Sequence, residues 1–591
     1  MAEQSVHPAE GALRIAVVGC CHGELDVIYS TIETACEADG GKRPDLVVIC
    51  GDFQAVRNEQ GLECMACPLR FRAMGDFWQY YAGKRAAPVP TLIIGGNHEA
   101  SAHFQSLPYG GMIAPNMFFM GYAGVVNFGG LRIAGISGIF DKRDFRQPHF
   151  EQAPYDERSM RTVYHTRERD VWRLAQLASP VDIVLSHDWP AGVDMAGDQQ
   201  WLLRKKRFFA EDSAKGELGS PANWNLMTLL RPAFWFAAHL HVKFPAIVSH
   251  SPPQPLHPKM NRGWFAVAYT DLQSRPSAAP VAAVPAAEPA DAAAAAFAAP
   301  PTNARTPFLR EDGYACTRFL ALDKPLPGRG FVQILDVDPA AIKAKRMGAA
   351  AAAENETPAA SGAAATPAGG AAGEHTLCFD SEWAAVVQAT HATAMDPQAS
   401  GPLPFLAPLP AGAVAKARTA LAAAFGGGEG GVPVPPSVRS TAPAFSPPEG
   451  FASSYDAKAA ALGRVRRGAA EPGDEHATEW GYPGTRRAPP AAEGNAFTDE
   501  YLATLGLQHS GTVPAGWKPA VQPQVPEAQT AQAQAAPPAA ASAPSYSPDG
   551  TVTPAVPAAI ALQTHEQSVQ PVPTDAAAVW KDEAEIDIDD L

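Results

Sequence analysis

Cysteine is scarce in this chain. Eight residues in 591 are too few for a disulfide scaffold. Cys64 and Cys67 form a single CxxC without a second pair, which argues against a zinc knuckle. No apolar run reaches membrane length and no signal-peptide pattern is present, so neither a membrane protein nor a secreted one is expected. Beyond Leu272, large apolar residues thin out. Tracts such as SAAPVAAVPAAEPADAAAAAFAAPP and PEAQTAQAQAAPPAAASAPSYSP cannot bury a core and are expected to be disordered. The formal charge of −15 sits mainly there: the first 272 residues hold 26 Lys+Arg against 28 Asp+Glu, leaving 20 against 33 for the rest. The acidity of the whole is therefore no argument against an anionic partner for the N-terminal part.

Between Cys20 and His241 the chain carries five short polar clusters: GCCHGE, CGDF, GGNHE, SHDWP and AHLH. They supply Cys20, His22, Asp52, Asn97, His187, His239 and His241, the residue types of a two-metal phosphoesterase. Two cations can clamp a phosphate and generate hydroxide. A carboxylate such as Asp52 can bridge them, while neutral imidazoles and an amide oxygen complete the shells without repelling an anion. The apolar runs Leu13–Val18, Leu46–Cys50, Leu92–Ile94 and Ile183–Ser186 read as strands, each ending where a cluster begins. Ile28 and Ile32 place a helix across Glu24–Ala35. His239 and His241, two apart, share one face if the backbone is extended. His98 has the pKa of a general acid, with Glu99 either holding its ring or capping the next helix.

The clusters resemble the calcineurin-type metallophosphoesterase pattern. The phrases VVGCCHGELDVIY, CGDFQAVRN, GGNHEAS, LPYGG, AGISGIF, SHDWP, LGSPA and AHLHVKF resemble, more narrowly, the RNA lariat debranching enzymes. FLALDKPLPGRGFVQILDVD and SEWAAVVQATH are similar to pieces of that family's C-terminal domain. The resemblance implies an α/β fold, a four-layer α/β/β/α sandwich followed by a small C-terminal domain. It implies hydrolysis of the 2′,5′-phosphodiester at the branch point of intron lariats by metal-activated hydroxide, with His98 as the acid. Cys20 stands where the wider superfamily usually has Asp, as in debranching enzymes. A thiolate favours softer ions, so the two divalent metals are expected to be Fe2+, Zn2+ or Mn2+. The family also implies a nuclear location with some cytoplasmic shuttling.

The segment from Ile139 to Arg167 lies where the family carries a lariat-recognition loop, and Lys142, Arg143, Arg146, Arg158 and Tyr155 are its candidate RNA contacts. Arg204–Arg207 (RKKR) suits RNA, nuclear import or a solvated helix face. The expected organisation is a catalytic domain over 12–272, a disordered linker over 273–312, a C-terminal domain over 313–400 with an Ala-rich insertion at 346–374, and a mostly disordered tail over 401–591. The acidic end DEAEIDIDDL either recruits a protein partner or keeps the tail soluble. A monomer acting on branched intron RNA, with no membrane association, is the expected working form.

Overall fold

A computed structural model describes residues 12–251, 254–260, 313–346, 375–391, 412–425 and 432–433. The expectations for the linker 273–312, for the Ala-rich insertion beyond residue 346 and for nearly all of the tail fall outside the described residues.

In chain order the strands are β1 (Leu13–Val18), β2 (Leu46–Ile49), β3 (Thr91–Ile93), β4 (Gly111–Ala114), β5 (Met117–Phe119), β6 (Ala123–Phe128) and β7 (Leu131–Ile136). They continue as β8 (Ile183–Ser186), β9 (Phe234–Ala237), β10 (Phe244–Ser249), β11 (Cys316–Ala321), β12 (Val332–Val337), β13 (Cys378–Phe379) and β14 (Val432–Pro433). They form a six-stranded sheet, β12-β1-β2-β3-β5-β4, and an eight-stranded sheet, β10-β11-β9-β8-β7-β6-β13-β14. The apolar runs read from the sequence are β1, β2, β3 and β8, each buried throughout. Continuous apolar strands are what parallel pairing with both faces covered requires, and β1, β2, β3 and β5 pair in parallel.

The helix Leu25–Ala38 buries Leu25, Ile28, Tyr29, Ile32 and Cys36, one stripe at helical spacing. Tyr29 and Thr91 join it to β3 through a 2.8 Å hydroxyl hydrogen bond. The sheets share one core, and their close approach shows at Gly135 of β7. A Cβ there would stand 2.7 Å from Met120 Sδ and 2.8 Å from Ile94 Cγ2. Helix Glu168–Ala175 lies on β6 and β7 of the eight-stranded sheet, and helices Pro221–Leu230 and Ser381–His391 pack against it in an outer helical layer.

The segment expected to form the small C-terminal domain is built into both sheets. β11 inserts between β9 and β10, while β12 pairs antiparallel with β1 in the other sheet. Edge strands with unpaired N–H and C=O groups recruit such partners, and the segment brings its own core residues. Phe319 packs at 5.3 Å against Trp189, which also stacks on Phe244. Each such buried aromatic is worth about 1.5–3 kcal/mol. Farther on, Arg132 of β7 grips Asp380 (Nε–Oδ2 2.8 Å, Nη2–Oδ1 2.7 Å) and Glu382 (2.8 Å). All three are buried, so the pairing fixes the helix Ser381–His391 against the sheet.

Candidate metal centre

The polar clusters lie in the loops that leave the C-terminal ends of β1, β2, β3, β8 and β9. Four of the candidate donors hold left-handed backbone: His22 (φ 48°), Asp52 (φ 48°), His239 (φ 63°) and His241 (φ 47°). For residues with a Cβ this costs of order 1–3 kcal/mol each and persists where the surroundings enforce it, typically at functional sites. The extended backbone expected at His239 and His241 is therefore not what occurs. β9 ends at Ala237, and the two left-handed residues turn their rings into different neighbourhoods.

One neighbourhood joins Cys20, His22, Asp52 and His241, whose donor atoms all lie within 4.8 Å of one another. His22 Nε2 is 3.1 Å from His241 Nε2 and 3.5 Å from Asp52 Oδ2. The other joins His187, Asn97 and His239 to the far side of the same carboxylate. His187 Nε2 lies 3.2 Å from Asp52 Oδ1 and 3.1 Å from Asn97 Oδ1, with the His187 and His239 rings 5.0 Å apart. Asp52 thus stands between two donor groups, as a bridging ligand must.

The electrostatics suit cations. His187 Nδ1 donates to the Cys50 carbonyl at 2.7 Å, which leaves Nε2 facing the oxygens of Asp52 and Asn97. Without a cation, a proton on Nε2 serves: burial opposes it, but Asp52 outweighs burial and raises the His187 pKa. Metal and proton compete for that position. Burial lowers His22 and His239 to about 3 and depresses His241 as well, so these imidazoles keep free lone pairs. Asp52 is held well below its ordinary range. Burial resists this, but the surrounding His187, His98 and His22 prevail. Its Oδ2 is buried without a hydrogen-bond partner among the described residues. The Cys20 thiol is raised by burial and by Asp52, while the backbone N–H of His239 donates to its Sγ at 3.3 Å. Neutral nitrogens, one orphaned carboxylate oxygen and a thiol with a waiting donor are a set that divalent ions complete.

His98 is buried beside the cluster, its ring 5.6 Å from that of His22, and its backbone N–H donates to Asp52 Oδ1 at 2.9 Å. Burial lowers its pKa, against the pull of Asp52. Glu99 neither holds the His98 ring nor caps a helix. Its carboxyl accepts from the N–H groups of Phe53 (2.8 Å), Gln54 (2.7 Å) and Gly96 (2.8 Å), tying the Asp52 loop to the Asn97 loop. Burial and then Asp52 push its pKa up to about 8, against those three donors.

Within the expected recognition loop, Lys142, Arg143 and Arg158 are exposed, and Arg143 pairs with Asp141 at 3.3 Å. Arg146 is half-buried, 3.5 Å from Glu168. Tyr155 does not face solvent. Its ring packs with Cys64 and Val163, and its hydroxyl donates to Gln105 at 2.6 Å, so it braces the loop from inside. The loop also contains a short helix, Glu157–Thr162, opened by an Asp156–Ser159 capping box.

One residue escaped the sequence reading. Lys324, just past β11, has its charge felt at Cys20, His22, His98 and His241. Its only sequence signal is a lysine directly after a strand.

Residues 13–243 match the calcineurin-like phosphoesterase family, and residues 314–425 match the lariat debranching enzyme C-terminal domain. Over both segments the chain is similar to the lariat debranching enzymes. Curated relatives of that name include those of Homo sapiens (44% identical over 326 residues, 55% of this chain and 50% of the relative) and Drosophila melanogaster (53% over 244 residues, 41% and 46%). The Caenorhabditis elegans relative is 40% identical over 349 residues, 57% of each chain. The chain spans about half the length of the curated relatives it matches. The match to the calcineurin-like phosphoesterases implies divalent metal ions. No helix among the described residues is long and apolar enough to cross a membrane.

Proposed function

We propose that this protein hydrolyses the 2′,5′-phosphodiester at the branch point of excised intron lariats, releasing a linear RNA with a free 2′-hydroxyl. The observation that carries the reading is the convergence of Cys20, His22, Asp52 and His241, with His187, Asn97 and His239 on the far side of Asp52, in a chain whose C-terminal family segment is built into the same two sheets. Cys20, His22, Asp52 and His241 would hold one divalent ion, and His187, Asn97 and His239 a second, with Asp52 shared. Such ions supply Lewis acidity, a nucleophile at neutral pH and neutralisation of phosphate charge. The protein's own share is positional and protonic. His98 gives its ring proton to the departing 2′-oxygen, and the substrate phosphate supplies the negative charge that favours the imidazolium. Glu99 keeps the loops carrying Asp52 and Asn97 at fixed separation.

Fe2+, Zn2+ and Mn2+ are the ions the donor set favours, because Cys20 contributes sulfur to one position only. Cys20→Asp should shift the metal preference of that position toward harder ions. Unchanged stoichiometry, preference and rate, read by metal analysis of anaerobically purified protein, would refute a ligand role. We further assign the protein to the nucleus with some shuttling, as a monomer, with the acidic tail as a site for a protein partner; cell fractionation, light scattering and tail deletion test these in turn.

The deciding assay offers a synthetic branched RNA and a linear 3′,5′ control, with divalent metals and after chelation. Metal-dependent cleavage confined to the branch supports debranching. Cleavage of the linear strand points to a general nuclease, and no cleavage of either to a binding scaffold.

A further inference from the structure

The RKKR run lies in a surface that leads away from the metal centre. The helix Gln199–Lys205 leaves Trp201, Arg204 and Lys205 exposed, and Arg207 and Phe208 follow, also exposed. Trp201 and Phe208 are among the few large apolar side chains this accessible, at 39% and 51%. Arg204, Lys205 and Arg207 have no ion-pair partner among the described residues. Lys206 turns inward, its Nζ 5.7 Å from the Phe208 ring centroid.

Lys324 joins this surface to the site. β11 runs parallel to β9 with Ala321 beside Ala237, and Leu322 N–H donates to the Ala237 carbonyl at 3.1 Å. The residues after β11 therefore pass beside His239. Asp323 also lies against Gly19, where a Cβ would stand 2.2 Å from the Asp323 carbonyl oxygen. Lys324 is half-buried, and its Nζ has no ion-pair partner among the described residues. The charge of Lys206 bears on both Asp323 and Lys324. Arg329 adds a third cation, 3.3 Å from Asp323. Lys324, Lys206 and Arg329 thus gather their charges about Asp323, between the loop of Cys20 and the exposed basic helix.

We propose that Lys324, Arg204, Lys205 and Arg207, with Trp201 and Phe208, form a track for one single-stranded arm of the RNA. The cations follow successive phosphates, and the two aromatic rings offer faces on which unstacked bases lie. Gly138, just before the segment Ile139–Arg167, donates its N–H to Gly95, and Phe140 within the segment donates to Asp188, so the two basic surfaces approach the metals from different loops. The inference deepens the debranching reading and rests on it for the identity of the strand.

The test uses the full chain. Binding of labelled branched RNA with long arms is measured against salt after metal chelation, with a branched core trimmed to one nucleotide per arm as reference. Arg204→Gln/Lys205→Gln/Arg207→Gln should weaken long-arm binding at least tenfold and flatten the log–log salt slope by about 2, given about 0.7 per phosphate contact on single strands. The trimmed core should shift less than twofold. Trp201→Ala/Phe208→Ala should weaken long-arm binding about fivefold with no change of slope, as stacking requires. Lys324→Ala should weaken both ligands. A triple variant with wild-type affinity and slope overturns the track and leaves the run as a solvated helix face. If the wild type shows no preference for branched RNA, the debranching reading fails by itself; linear single-stranded RNA then decides the track, which stands on the same loss of slope and falls without it.

Discussion

Gly96 offers the sharpest check on the arrangement of the metal centre. Its backbone lies outside the left-handed region, so alanine suits the main chain and only space is at issue. A Cβ there would stand 2.3 Å from Asp52 Oδ1, 2.4 Å from Asp52 N and 2.8 Å from His187 Cε1. Ordinary contact begins at about 3.4 Å, so Asp52 must retreat by roughly 1 Å. Overpacking of this kind costs about 1–3 kcal/mol of stability. A 1 Å misplacement at a reacting centre costs of order 100-fold in rate. Gly95→Ala is the control, because its Cβ would meet Phe104 at an ordinary 3.4 Å. Gly96→Ala should lose metal affinity and at least 100-fold in kcat/KM on branched RNA, read by metal analysis and single-turnover cleavage, while Gly95→Ala stays within a few-fold. Equal behaviour of the two variants, or full metal content with near-normal rate in Gly96→Ala, would refute the reasoning.

His98→Ala should slow cleavage by about 100-fold or more with metal content intact, given the proposed role of proton donor rather than ligand; a normal rate in single turnover removes it from the mechanism. Glu99→Ala strips three buried N–H groups of their acceptor and should lower the unfolding free energy by about 3 kcal/mol or more, measured by urea titration. Asp380 is lowered from its ordinary pKa because Arg132 outweighs the opposing effect of burial. Its stabilising contribution is therefore complete above the unfolded carboxyl value of 3.8 and is lost as pH falls through the depressed folded value. Asp380→Asn should cost about 3 kcal/mol at pH 7, the usual penalty for breaking a buried pair, and the gap to wild type should narrow below pH 3.8, read by denaturation at both pH values.

The residue types of the donor set and their order were legible because each follows a run of buried apolar strand, and the chemistry of a carboxylate among imidazoles needs no tertiary information. The strands β1, β2, β3 and β8 were legible for the same local reason, whereas the four layers were implied only by the family resemblance. Which donors share a neighbourhood was not. That depends on left-handed backbone at His22, Asp52, His239 and His241, imposed by neighbours from other loops and invisible in alternation or helical spacing. The role of Glu99 and the inward turn of Tyr155 likewise rest on partners far off in the chain. Only tertiary structure could put β11 and β12 into both sheets and deliver Lys324 to the metal loops, because strand pairing across so long a separation is decided by complementary edges and a shared core, which no window of local sequence contains.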